Sequence, residues 1–394
     1  MKLGSRRQFL GATAIAVMCL LGAAAVAGVP AVASAQAGQA AAAQTAATER
    51  VPMVEDIFKT VVLLRGIPVD TFFEAMGMFA SSMGEDCTFC HVPKAYFEKS
   101  LFAVQTPRIQ RARGMIAMVT TINKQFFGGQ PRVTCFTCHH GDHSPVSDPN
   151  IALQYSEPNL DPNTRDVAPD ITGTTADQVF DKYIKALGGA DRLSRFTSFT
   201  AKGTYAGFDT ALGDVPMELY ARAPAQQTMV VHFFNGGSTR TFDGRNGWMA
   251  GVDTPLPLVT LTGGNLDRAR LEATLWFPAG IRQAFSQWRV GRALIDGEEV
   301  QVVQGSEPGQ PPANLYFDES GLLMRLVRWT QTPVGFVPTQ IDYADYRDVA
   351  GVKMPFRKTV SQTYMRMTMK LTDVQPNAAI DRSRFVQPAP VPAP

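Results

Sequence analysis

Apolar residues follow two regimes along the chain. Over residues 51–143 they recur at helical spacing and nowhere alternate. Asp70 can cap a helix whose inner stripe is Phe72, Met76, Phe79 and Met83, with Met78 on the opposite side. Thr106 and Pro107 open a second helix through about Phe126, on which Met115, Met118, Val119 and Ile122 share a stripe. From Ala176 the pattern changes. A short amphipathic helix over 177–187 closes on Gly188-Gly189. Strand-like segments then follow at 198–205, 217–223, 228–234, 247–250, 300–303, 314–317, 322–330, 339–343 and 359–371. Turn signals such as Asp243-Gly244, Asp296-Gly297 and Ala350-Gly351 separate them.

These patterns predict two domains. A mainly α domain covers 51–143, and a Pro/Asp/Asn/Thr-rich linker covers 144–175. An α+β domain over 176–389 is built on an antiparallel sheet or half-open barrel, and 390–394 form a Pro/Ala tail. The N-terminus reads as an export signal over 1–37 and a flexible tether over 38–50. Lys2, Arg6 and Arg7 precede an apolar run, and Ala33-Ser34-Ala35 and Ala35-Gln36-Ala37 are small-residue cleavage patterns. Ser5-Arg6-Arg7-Gln8-Phe9-Leu10 looks like a twin-arginine signal, with a merely basic leader as the equal alternative. The run over 9–29 also has the length of an uncleaved membrane anchor. Cys19 reads as a plain apolar leader cysteine, since Met18 before it suits a lipoprotein site poorly. The expected location is exported and periplasmic, with attachment to the membrane left open.

Charge narrows the function classes. A formal net charge of +2 on 394 residues argues against nucleic acid as a partner. Charges over 51–143 are nearly balanced, so charge alone assigns no docking face there. No cysteine follows Cys138, so disulfides do not hold the C-terminal part together.

Four cysteines carry the chemistry. Cys87-Thr88-Phe89-Cys90-His91 and Cys135-Phe136-Thr137-Cys138-His139 are both C-x-x-C-H. Two thiols at this spacing can add to the two vinyl groups on one edge of a haem, and the adjoining imidazole can bind its iron. Two complete motifs predict two covalently attached haems c, held by Cys87, Cys90, Cys135 and Cys138, with His91 and His139 as iron ligands. A structural zinc site would need four ligands at other spacings. No methionine lies between His139 and Met217, so methionine ligands must come from upstream. A helix carrying methionine, a turn and then C-x-x-C-H occurs twice in succession. Core packing is the competing reading of these methionines, and the one preferred for Met83. His140 and His143 read as loop residues and His232 as a structural histidine.

Residues 51–145 resemble the cytochrome subunit of bacterial photosynthetic reaction centres. The resemblance rests on Phe72-Phe73-Glu74-Ala75-Met76, on both C-x-x-C-H motifs, and on the run from Ala112-Arg113-Gly114-Met115 to Ile122-Asn123. It implies Met76 and Met115 as axial ligands opposite His91 and His139, with Met118 as the rival of Met115. It also implies a multihaem c-type cytochrome fold with paired helices at each haem, and re-reduction of a photo-oxidised primary donor. Well-known members hold four haems, whereas this chain has motifs for two. The C-terminal domain looks like the half-barrel of periplasmic lipoprotein-sorting carriers, through Phe242-Asp243-Gly244-Arg245-Asn246-Gly247-Trp248 and Asp345 to Val352. The expectation is an electron carrier rather than an enzyme. Its partners would be redox proteins such as a membrane-bound reaction centre or respiratory complex. A dihaem peroxidase or sensor is one alternative, and a lipid- or lipoprotein-binding protein with an accessory haem module is another.

Overall fold

Residues 50–155 and 163–391 are described by the computed structural model. The export signal, Cys19, the tether up to residue 49, residues 156–162 of the linker and the last three residues lie outside them.

The N-terminal region is helical. It comprises α1 (Val54–Ile57), α2 (Val69–Met83), α3 (Cys87–Cys90), α4 (Pro107–Phe126), α5 (Cys135–His139) and α6 (Ile151–Gln154). Thr106 caps α4 as its sequence predicts, its Oγ1 accepting from the Ile109 N–H at 3.2 Å. Gly84 ends α2 in the left-handed region at φ 65°, where a side chain would be strained. Asp70 does not cap its own helix. Pro68 is the N-cap of α2, and no side chain caps that end.

The remainder forms an open antiparallel sheet with helices. In chain order it contains β1 (Ala168–Pro169), α7 (Ala176–Ala186), α8 (Ala190–Arg195), β2 (Ser198–Gly207), β3 (Val215–Arg222), β4 (Gln226–Phe233), β5 (Gly236–Phe242), β6 (Gly247–Gly251) and β7 (Val259–Thr260). Next come α9 (Gly263–Trp276), β8 (Gln287–Ile295), β9 (Glu298–Ser306), β10 (Ala313–Phe317), β11 (Leu323–Thr332), β12 (Gly335–Val349), β13 (Val352–Ser361) and β14 (Arg366–Pro376). Two meanders, β2 to β7 and β8 to β14, are joined by pairing of β14 on β2. The 14-stranded order ends at β1 and β7, which do not pair with each other.

Successive residues of a strand face opposite ways, so each strand can serve two cores. Val303, Leu315 and Leu326 belong to the larger core with α7, α8 and α9, while their neighbours Val302, Tyr316 and Val327 belong to a second core. The end of the linker is stitched to the sheet. Val167 enters the second core, β1 pairs with β8, and the Asn314 Nδ2 and Gln304 Nε2 groups donate to the carbonyls of Thr164 and Arg165.

Two expectations change in detail. The 359–371 segment is two strands, because the chain turns at 362–365, where the Gln362 N–H donates to the Met365 carbonyl at 2.8 Å. That turn holds no glycine or proline to mark it. β5 and β8 are absent from the expected strands because their glycines, threonines and arginines dilute the apolar alternation.

The helical region and the sheet pack as one compact unit. Leu64 from the α1–α2 loop and Ala75, Met78 and Ile116 from the helices form one apolar cluster with Val334 and Val337 of the β11–β12 hairpin.

Candidate functional site

Asp86 starts α3, its carboxylate accepting from the Thr88 N–H at 2.7 Å, and so sets the first C-x-x-C-H on a helical turn. The beginning of α4 then fastens that turn. The Thr106 hydroxyl donates to the Cys90 carbonyl and the Arg108 guanidinium to the Phe89 carbonyl, both at 2.7 Å. Arg108 also lies over the Phe89 ring, 4.0 Å from its centroid. The end of α4 fastens the second motif. Asn123, buried on the same face as Ile116 and Val119, donates to the Val133 carbonyl and accepts from the Arg132 and Val133 N–H groups. One helix therefore holds both motifs.

The two motif segments also touch each other. The Gly141 N–H donates to the Ser82 carbonyl at 2.9 Å. A Cβ on Gly84 would stand 2.1 Å from the Gly141 oxygen, so only glycine permits this approach. His143, after the second motif, lies 3.9 Å from Glu85 and 6.2 Å by ring centroid from Phe89 of the first.

Both histidines next to the cysteines suit a metal. His139 Nδ1 lies 2.9 Å from the Asp142 carbonyl, a contact that places a proton on Nδ1 and leaves the Nε2 lone pair free. His91 sits against the Phe102 ring with Nδ1 buried and unpartnered, and burial pushes its imidazole below the usual range, toward the neutral form. The four cysteines are free thiols, and burial pushes those of Cys90 and Cys135 up. Among the described residues no group of three or more His, Cys, Asp or Glu gathers to hold a metal ion.

The methionine helices expose an unexpected face. On α2 the buried residues are Val69, Asp70, Glu74, Ala75, Gly77, Met78 and Ser82. At 3.6 residues per turn, Phe72, Met76, Phe79 and Met83 lie mainly on the other side, where they are half-buried. Phe72, Met76 and Phe79 still pack against the cluster of Leu64, Ala75, Met78 and Ile116, but the most deeply buried face of α2 is the one carrying Asp70, Glu74, Gly77, Met78 and Ser82. On α4, Met115 and Met118 are 40% and 45% exposed. Gly114 beside them has open space where a Cβ would stand, so no neighbour in the protein requires glycine there. Met115 and Met118 left exposed on α4, open space at the Gly114 Cβ position and an imidazole anchored through Nδ1 at His139 fit a flat apolar prosthetic group carrying a metal. The residues present therefore fit haem c.

Several contributors escaped the motif search. Asp70 accepts from the Thr262 N–H at 2.6 Å, the Thr262 hydroxyl at 2.7 Å and Asn265 Nδ2 at 3.2 Å, tying α2 to the start of α9. Glu74 is buried one turn later, and burial pushes its carboxyl up while Arg268 pulls it down. Asn123 had a legible signal, a polar residue seven positions after Ile116 on an otherwise apolar stripe. Of the remaining histidines, His140 is an exposed cap at φ 52°, and His232 is exposed on β4, 3.4 Å from Glu218.

The concave side of the sheet is filled. Glu272 of α9 lies between Lys358 and Arg268, and the cavity beside Trp276, Tyr343 and Lys358 is about 20 Å³. That is far below the roughly 300 Å³ at which ligand pockets begin. No described helix is long and apolar enough to cross a membrane.

Solved structures with similarity include a LolA superfamily protein from Nitrosomonas europaea, at 12% identity and TM-score 0.36 over 54% of this chain and 98% of that one. An outer membrane lipoprotein-sorting protein domain from Vibrio parahaemolyticus matches at 8% and 0.33 over 50% and 93%. A DUF1329 family protein from Desulfovibrio piger matches at 7% and 0.36 over 53% and 96%. The part of the chain that bears both C-x-x-C-H motifs, residues 21–181, matches the photosynthetic reaction centre cytochrome C subunit family.

Proposed function

We propose that the chain is an exported, periplasmic dihaem c-type cytochrome that passes electrons between redox proteins. Its helical module at 51–143 carries the chemistry, and its sheet module at 176–389 braces it. Cys87 and Cys90 would hold one haem through thioether bonds, with His91 and Met76 as iron ligands. Cys135 and Cys138 would hold the other, with His139 and Met115. Each bound haem supplies an iron that alternates between ferrous and ferric and so stores one electron. The protein's part is placement. Asp142 orients the His139 imidazole, Arg108 and Asn123 set the two motifs on one helix, and the half-open methionine stripes offer soft sulfur ligands that raise a haem potential relative to histidine.

The observation that carries this reading is the direct apposition of the two motif segments through Ser82, Gly84 and Gly141. A redox dithiol or a lone haem site has no need of it. Re-reduction of a photo-oxidised donor is the role the family match favours, with a respiratory partner as the other destination. The test is a pyridine haemochrome spectrum with intact mass on protein matured in a periplasm. Two covalent haems per chain, together with loss of the leader, are expected. One or none overturns the dihaem reading. Ready binding of carbon monoxide by the reduced protein at both irons, or peroxide turnover, would point instead to a dihaem enzyme.

A further inference from the structure

The β11–β12 hairpin belongs to the sheet by its pairing, yet its tip lies among the helices. Val334 and Val337 are buried in one apolar cluster with Ala75 and Met78 of α2 and Ile116 of α4. Thr332 sets the shape of the tip. Its hydroxyl donates to the Gly335 carbonyl at 2.8 Å and accepts from the Val334 N–H at 3.2 Å. Gly335 then occupies a place where no side chain fits. Its φ is 142°, and a Cβ there would stand 2.8 Å from Met78 Cε and 2.9 Å from Thr134 Cγ2. Thr134 is the N-cap of α5, its N–H donating to Thr137 Oγ1 at 3.0 Å, and Cys135 follows it directly.

The hairpin thus reaches both sides of the second C-x-x-C-H site. Ile116 adjoins Met115 on α4, and Thr134 adjoins Cys135 on α5. Among the described residues no hydrogen bond or ion pair ties 130–147 to the sheet, so the approach of Gly335 to Thr134 is an apolar one. The surroundings of the first site differ. Its methionine helix, α2, is tied to the sheet independently, through Asp70 to Thr262 and through Gly77 to the β13–β14 turn. Its motif is fastened within the helical region by Asp86, Thr106 and Arg108.

We infer that Val334 and Gly335 of the sheet module are positioning residues for the second haem. They hold the helix of its methionine ligand and the helix of its cysteines and histidine in fixed relation. The inference rests on the dihaem reading above and gives the sheet a specific part in it. Metal ligands work only when their supports hold them to within about 0.5 Å. A tip pinned by its own hydrogen bonds and rooted in a 14-stranded sheet supplies that stiffness, which a free loop does not.

The test compares V334A and G335A with V302A, an equal truncation of a buried valine in the second core of the sheet. Redox titration of the haem-loaded full chain, followed by optical spectra, is the first readout. V334A and G335A should shift the potential of one haem, the one whose sulfur–iron band M115L abolishes, and should weaken that band. V302A should lower stability and leave both potentials and both bands native. Native potentials in both hairpin variants, or the same shift in V302A, overturn the proposal. A shift confined to the haem marked by M76L overturns it too. Hydrogen exchange of haem-free protein is the second readout. Amides 135–139 should exchange about tenfold faster in V334A than in V302A. Equal exchange overturns the role of the hairpin even where two haems are found. A chain that attached no haem would sink the dihaem reading, and the exchange result would still decide whether the hairpin holds the second motif.

Discussion

Asp70, on the helix that carries Met76, is bonded to the backbone and hydroxyl of Thr262, 192 residues away, where α9 begins. It holds the N-cap residue of the helix that fills the sheet and does not cap the helix it belongs to. The first methionine helix and the sheet are thereby fixed to each other by a buried carboxylate.

Replacing Asp70 with alanine removes three hydrogen bonds and leaves the Thr262 N–H and Asn265 amide short of a partner. A loss of roughly 3 kcal/mol in denaturant unfolding is expected. A double-mutant cycle of D70A with T262V should give a coupling above about 0.5 kcal/mol. Additive effects would mean that the two residues do not act as a pair.

The sulfur ligands can be separated by spectrum. M76L and M115L should each abolish one of two sulfur–iron charge-transfer bands and lower one haem's potential in a redox titration. M118L should leave both bands. The reverse result, band loss with M118L but not M115L, would reassign the second iron.

Glu272 sets an acid limit on stability. Burial pushes its carboxyl up, yet Lys358 and Arg268 outweigh that and hold it below the ordinary glutamate range. A lowered folded-state value means that its stabilising contribution is present above the unfolded value of about 4.3 and is lost as pH falls through the folded one. E272Q should remove this part of the acid limb in denaturation midpoints measured against pH. At neutral pH it should cost roughly 3 kcal/mol, because Lys358 stays buried without its counter-charge. An unchanged acid limb would rule Glu272 out as its source.

Two helical glycines should respond with opposite signs. A Cβ on Gly77 would meet Thr363 Oγ1 at 2.4 Å and the Tyr364 ring at 2.6 Å, so G77A should push α2 off the β13–β14 turn and destabilise by roughly 1–3 kcal/mol. A Cβ on Gly114 meets nothing, so G114A should stabilise haem-free protein by roughly 0.5–1 kcal/mol through helix propensity. In haem-loaded protein that gain should vanish. Equal melting shifts with and without haem would show that nothing approaches Gly114.

The sequence alone determined the chemistry and much of the local structure. Two C-x-x-C-H motifs need only covalent spacing to be recognised, and Thr106-Pro107 marks the start of α4 because capping is decided within one turn. Strands such as β3 and β4 announced themselves through alternation. Tertiary structure decided which faces are inside and which charges are free. The Phe72–Met76–Phe79 stripe reads as the core face from periodicity, yet it is only half-buried, while α2 buries Asp70, Glu74 and Gly77 more deeply, Asp70 against donors on Thr262 and Asn265 and Gly77 against the β13–β14 turn. The same burial removes two acids from the surface. Periodicity records that a helix has two faces. Which face is covered depends on partners hundreds of residues away, and no local pattern carries that information.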